Sequence, residues 1–274
     1  MAILSVGSTP LARPTPRLIR LVRSNERLFY GILGFVVVGL LWEAAGDLGL
    51  YRKSLLSTPS LVLTAAIQDF GSGTIFPDLR ESFVEFSLGF FSALGIGIPL
   101  GLLIGTFRRV DHFVSLLLFG IYSTPKAAIA PLIIIVFGIG LESKVIFVFL
   151  LTFFSVIVST VAGVRSAAER HVDIARSFGA SRWLLFRSVI LPSTFPFILT
   201  GIRIATGRAL VGVIVAEEIA ANAGIGHYIE LWGAFLQTSK VMLGVVILGT
   251  FGIILGEGVR RIEKRYEVWR QEIH

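Results

Sequence analysis

Lys126, Arg203, Arg208 and Glu217 are ionisable residues set within long apolar stretches of a 274-residue sequence. A cation at hydrocarbon depth persists only when it is paired or hydrated. Lys126, Arg203 and Arg208, together with Glu217 and the prolines Pro125 and Pro131 that flank the lysine, therefore form a candidate path for an anion such as a sulfonate or carboxylate. The competing reading pairs Arg203 or Arg208 with Glu217 or a neighbouring helix for assembly, and lets Lys126 snorkel to the interface. Catalytic patterns are missing. No GxxxxGK[ST] phosphate loop occurs, so no means of binding ATP is expected in this chain. His112, His171, His227 and His274 lack metal-ligand spacing, and no HExxH is present, so no metal site and no catalytic residue is expected. The absence of cysteine excludes disulfides and thiolate metal sites.

The elements that would hold these charges are membrane helices. Hydrophobic residues make up 54% of the chain and charged residues 16%, with a mean hydropathy of +0.81, outside the range of soluble domains. A helix needs about 20 apolar residues to span the hydrocarbon core. Phe86 to Phe107 and Val145 to Val164 satisfy this with no ionisable side chain. Leu28 to Ala45 and Val241 to about residue 259 are spans with a polar edge at Glu43 and Glu257. Phe113 to Leu141 is interrupted by STPKAAIAP, which predicts a broken helix facing protein or a water-filled path, because lipid cannot replace the hydrogen bonds that proline removes. Leu199 to Ala220 carries Arg203, Arg208, Glu217 and Glu218 and belongs in the bundle interior. Gly95, Gly97, Gly101 and Gly105 have small-residue spacing suited to close helix packing.

Six spans put both termini on one side. Arg13, Arg17, Arg20, Arg23 and Arg27, then Arg108 and Arg109, then Arg165, Arg170, Arg176, Arg182 and Arg187, then Arg260, Arg261, Lys264 and Arg265 all fall on that side. The positive-inside rule makes it cytoplasmic. The formal charge of +7 then reflects topology and lipid headgroups, with no nucleic-acid partner implied. An Arg-rich start, the apolar run Leu28 to Trp42 and the small residues Ala44, Ala45 and Gly46 also have the form of a signal peptide. The six-span parity favours a first span instead. Residues 1–25 are expected to be a basic cytoplasmic tail, 26–265 the membrane domain, and 266–274 a second cytoplasmic tail. ANAGIGHYI, with Gly224 and Gly226, is expected to form an extracytoplasmic turn that either gates the path or simply reverses the chain.

Between spans four and five, residues 165–192 form an amphipathic insert. DIARSFGASRWLLFRSVILP predicts a helix from about Arg170 to Phe178 that presents Ile174, Ala175 and Phe178 on one face. Gly179 would close it in a left-handed conformation. Ser181 would cap a second helix bearing Trp183, Phe186 and Ile190, which Pro192 would end. Exposed apolar residues on such a helix pair mark a docking site or an interfacial membrane helix.

The insert resembles the EAA loop of binding-protein-dependent ABC importer permeases, whose pattern is Glu-Ala-Ala, three residues, Gly, nine residues, Ile, one residue, Leu-Pro. Asp173, Ile174 and Ala175 stand at the first three places, and Gly179, Val189, Leu191 and Pro192 at the later ones. Asp and Val keep charge and shape, whereas Ile174 is bulkier than the alanine it replaces. STPKAAIAPLIIIVFGIGLESKV and LTGIRIATGRALVGVIVAEE are similar to the permeases of the nitrate, sulfonate, taurine and thiamine-precursor group. The resemblance implies an all-α type I importer permease with six transmembrane helices and a cytoplasmic coupling helix. It implies a second permease copy, two ATPase subunits that hold ATP and magnesium, and an extracytoplasmic binding protein that sets the substrate, a small anionic or heterocyclic solute. It places ATPase coupling on Asp173, Ala175, Arg176, Phe178, Gly179, Ala180, Ser181 and Arg182. A secondary transporter would need no ATPase but usually shows internal repeats. A membrane-embedded enzyme would need clustered ionisable residues at one depth. Neither pattern is visible in the sequence.

Overall fold

The computed structural model describes residues 26–52, 55–167, 173–220 and 222–271. The expected basic tail at 1–25 lies outside them, as do His171, His274 and the start of the insert's first helix at Arg170. The chain divides into two compact units, residues 1–60 and 61–274.

In the first unit, α1 (Glu26–Asp47) is a 22-residue helix covering the expected first span. Tyr30, Phe35, Val38, Leu40 and Leu41 on it are exposed within the chain. Glu43, its polar edge, accepts hydrogen bonds from the Ser60 backbone N–H (2.9 Å) and hydroxyl (2.6 Å), at the first turn of the next helix. A carboxylate there satisfies an N–H that has no partner inside its own helix.

Helix α2 (Pro59–Ser72) begins in the first unit and continues into the second, which then contains α3 (Phe76–Thr106), α4 (Arg108–Ser123), α5 (Ala130–Phe137), α6 (Leu141–Ala167), α7 (Asp173–Ser177), α8 (Arg182–Leu185), α9 (Leu191–Ala220), α10 (Ile225–Ala234) and α11 (Thr238–Gln271). Among the described residues, four helical stretches are long and apolar enough to cross a membrane: Phe76–Thr106, Leu141–Ala167, Arg182–Ile219 and Thr238–Arg265. Arg108–Ser123 and Lys126–Phe137 make a fifth if that bent pair is one span.

At the centre is α6, packed against α3 on one side and α9 on the other. Phe86 and Phe90, Val148 and Val156, and Ala205, Ala209 and Val213 meet there as one buried cluster. Small residues allow the approach. A Cβ on Gly101 would lie 2.7 Å from that of Thr160, one on Gly105 2.6 Å from that of Val164, and one on Gly201 2.6 Å from that of Ser159. Gly97 also faces α6, whereas Gly95 has nothing within 4 Å and takes no part in this contact.

Two boundaries differ from the sequence expectation. Helix α3 begins at Phe76, well before the uncharged window at Phe86, because Pro77 and Asp78 suit a helix start and the polar residues that follow find partners inside the protein. Pro192 does not end the insert's second helix. The chain runs on from α8 through a π-helical turn at Phe186–Ile190 into α9, with Pro192 in the first turn of α9. The widened turn accommodates a residue that has no N–H to give.

Candidate functional site

The break between α4 and α5 is built by two prolines. Pro125 has no N–H with which to continue α4, and Pro131 sits at the start of α5. Between them Lys126–Ile129 forms a single 3-10 turn, and the two arms meet at 86°. Gly138, at φ +79, closes α5. The carbonyls freed at the end of α4 are not left bare. Thr124 Oγ1 donates to Gly120 O (2.9 Å), and Lys126 Nζ donates to Tyr122 O (2.8 Å) and Ile121 O (3.3 Å).

Arg208, near the middle of α9, meets this break from the facing helix. Its Nη2 donates to the Tyr122 hydroxyl at 3.0 Å, and its guanidinium lies 5.1 Å from the Tyr122 ring centroid. Lys126 Nζ is also 5.1 Å from that centroid, and 5.4 Å from that of Phe154. The aromatic face carries negative quadrupole density that attracts both cations. Lys126 and Arg208 are half-buried, and among the described residues neither has a carboxylate partner. The result is a doubly positive site, built from neutral groups, where a helix is broken.

Arg203 and Glu217 are not part of it. Arg203 Nη1 pairs with Glu263 Oε2 on α11 at 3.0 Å. The Glu217 side chain is fully buried near the end of α9. Its Oε1 accepts from Ser82 Oγ and its Oε2 from the Gly226 N–H, both at 2.6 Å. The described ion pairs do not include the expected alternative of an arginine bonded to Glu217.

That second polar site seats α10. The Gly224 N–H donates to Asp78 Oδ1 (2.9 Å) and the Ile225 N–H to Ser82 Oγ (2.8 Å). Gly224, at φ +123, presses so closely on the Glu217 carboxyl that any Cβ would collide with it. Further along α10, Tyr228 donates to Asp69 Oδ2 at 2.5 Å, and Lys240 Nζ approaches Asp69 Oδ1 at 3.0 Å while lying over Trp232. Burial first, then the neighbouring Asp69 carboxylate, pushes the Tyr228 phenol well above its ordinary value, so it stays a proton donor. Sequence reasoning missed Asp69, Asp78, Ser82, Glu85, Lys144 and Tyr228. Asp78, Ser82 and Glu85 recur at helical spacing just ahead of an uncharged window, a signal that the search for uncharged windows passed over.

The insert forms a third site. Helix α7 ends in a Schellman closure: Ala180 N donates to Ala175 O (3.1 Å), Gly179 N to Arg176 O (2.9 Å), and Gly179 adopts φ +75. Ser181 caps α8 by accepting from the Leu184 N–H at 3.3 Å. Buried Leu185 and Ile190 pack with Val164 at the end of α6, and Ala175 and Ala180 lie against them. On the outside Phe178 is 88% and Trp183 68% exposed, with Arg176 and Arg182 beside them. A short double turn thus rests on α6 and offers an apolar and basic face. Asp173 begins α7.

Comparison with known proteins matches residues 97–268 to the profile of the family described as binding-protein-dependent transport system inner membrane component. The taurine transport system permease protein of Escherichia coli is 33% identical over 237 residues, covering 85% of this chain and 86% of that protein. The putative aliphatic sulfonates transport permease protein of Bacillus subtilis is 31% identical over 240 residues, covering 88% and 87%. The formylaminopyrimidine transport permease protein of Halalkalibacterium halodurans is 30% identical over 240 residues, covering 88% and 95%. Among solved structures, an inward-facing conformation of the MetNI methionine ABC transporter shares the fold with a TM-score of 0.56 at 18% identity, over 70% of this chain and 94% of that one.

Proposed function

The chain belongs to the family of binding-protein-dependent transport system inner membrane components, and from that premise we propose that it carries a small anionic solute, of the sulfonate or carboxylate class, into the cell. It is an ABC transporter permease subunit, a transport protein and not an enzyme. Transport proceeds by alternating access between two permease copies, with α1 as the first of six spans and both termini cytoplasmic. A binding protein delivers the solute outside, and two ATPase subunits holding ATP and magnesium dock inside. Asp173, Ala175, Arg176, Phe178, Gly179, Ala180, Ser181 and Arg182 form the docking element that transmits ATPase closure.

The observation that carries the choice of solute is the pair of cations on Tyr122. Lys126 and Arg208 have neutral partners and no counter-carboxylate among the described residues, which leaves a positive site at a helix break. An anion supplies the missing charge. The relatives named for sulfonates and taurine support the same class. Pro125 and Pro131 hold the break open, while Arg203 and Glu217 serve helix contacts.

The test is reconstitution of the permease with its ATPase and binding protein in proteoliposomes, followed by uptake of a radiolabelled alkyl sulfonate. ATP-dependent uptake that requires all three components is expected. Uptake without the ATPase would point to a secondary transporter, and exclusion of every sulfonate and carboxylate in favour of a neutral or cationic solute would refute the anion assignment.

A further inference from the structure

Beneath the seat of α10 lie two carboxyl groups and one amine, all sealed from water. Glu85 and Glu217 are 0% exposed and Lys144 4%. Lys144, from the first turn of α6, ion-pairs with Glu85 and lies 3.2 Å from Glu81, which is partly hydrated. Glu85 stands one turn along α3 from Ser82, which donates to Glu217 Oε1 at 2.6 Å, and so meets Glu217 across the interface between α3 and α9. Glu85 Oε1 meets the Lys144 ammonium, whereas its Oε2, equally buried, has no hydrogen-bond donor among the described residues. The Glu217 oxygens, by contrast, each take one, from Ser82 and from the Gly226 N–H.

The charges do not balance if every group is ionised. Two buried carboxylates would then face one another with a single ammonium beside them, and like charges at contact in a dry interior repel strongly. One proton restores neutrality: a carboxylic acid O–H donates to the neighbouring carboxylate, and the remaining charge matches Lys144. It also fills an oxygen of Glu85 that is otherwise unpartnered.

We propose that Glu85 and Glu217 bind one proton between them, and that this shared proton holds the first turn of α10 in its seat. The proton belongs to the pair. The other titratable groups around it are Asp78 and Glu81 on α3, Lys144 on α6 and His227 on α10. Release of the proton to water leaves two adjoining carboxylates. Their repulsion displaces Glu217, the acceptor of the Gly226 N–H, and α10 loosens. Unseating of α10 and loss of this proton are therefore linked in both directions.

Infrared spectroscopy of the intact permease in lipid nanodiscs tests the assignment. At neutral pH one buried carboxylic-acid carbonyl absorption is expected. It should shift on incorporation of carbon-13 glutamate, vanish in Glu85→Gln and in Glu217→Gln, and survive in Glu81→Gln. Glu85→Gln keeps the side-chain shape and can donate an amide N–H to Glu217, so its fold is expected to stand. A fluorophore attached at the exposed position Glu230 should gain mobility as pH rises in the wild type and much less in Glu85→Gln. No carboxylic-acid absorption in the wild type at any pH from about 6 to about 8, where ordinary glutamates are ionised, overturns the proposal whatever the variants do. So does an absorption that persists in both glutamine variants.

Discussion

The three cations noted inside apolar sequence have unlike surroundings, and this separates their roles. Arg203 is matched by Glu263, whereas among the described residues Lys126 and Arg208 meet carbonyls, a phenol and aromatic faces. A hydrogen bond to a charged group contributes roughly 1.5–3 kcal/mol, or about 10- to 100-fold in binding. Lys126→Gln and Arg208→Gln are each expected to lower sulfonate uptake by about that factor while ATP hydrolysis stimulated by the binding protein continues. Both contact Tyr122, so the double variant should lose less than the product of the single losses. Arg203→Gln should leave uptake near normal. Equal loss of uptake in Arg203→Gln and Arg208→Gln would remove the case for a site at the break.

At the scale of elements, two short helices are fixed by unusual closures. Gly179 has open space around its Cβ direction, so a substitution there meets no clash and is opposed only by the left-handed backbone. Gly179→Ala should cost about 1 kcal/mol in stability. Gly179→Asp adds a charge beside exposed Phe178. It is expected to leave the permease inserted and dimeric while weakening ATPase co-purification, so that stimulated hydrolysis and uptake are lost together. Normal co-purification and hydrolysis per folded Gly179→Asp permease would show that the insert is not the docking element. For α10 the expectation concerns pH. The Tyr228 phenol has its value raised in the folded state, so its hydrogen bond to Asp69 stabilises the protein fully below about pH 10, the ordinary tyrosine value, and that contribution is lost as pH rises further. Thermal melting should therefore show Tyr228→Phe less stable than the wild type at neutral pH, with the difference narrowing above about pH 10. A constant difference across that range would mean that the phenol proton contributes nothing.

For the whole molecule, the arrangement of α6 between α3 and α9 leaves the polar sites at separate levels of the bundle: the insert on the Val164 end of α6, the cation pair at the α4–α5 break, and the α10 seat by the Lys144 end. That separation suits alternating access, in which one end closes while the other opens. In the topology proposed above, with both termini cytoplasmic, the insert faces the cytoplasm. The chain has no native cysteine, so Ser181→Cys gives a single reporter. An impermeant maleimide should label it only after the membrane is permeabilised. Labelling from outside intact cells would invert the assigned orientation.

Membrane character, the broken helix at Pro125 and the closure of α7 at Gly179 could all be read from the order of residues. Each rests on a local cause: apolar length, a missing N–H, or a residue without Cβ. Even the cap at Ser181 is a contact three residues along the chain. Partner choice could not be read so, because it joins residues far apart in the sequence. Arg208 meets Tyr122, and Arg203 takes Glu263 in preference to Glu217. Glu217 reaches Ser82 and lies against Glu85, which draws in Lys144. Glycines such as Gly101 and Gly105 set how closely α3 approaches α6, and that approach helps decide which buried charges share a site. Ionisable groups in a dry interior need a counter-charge, a donor or a proton, and only the packed helices show which of these each one has.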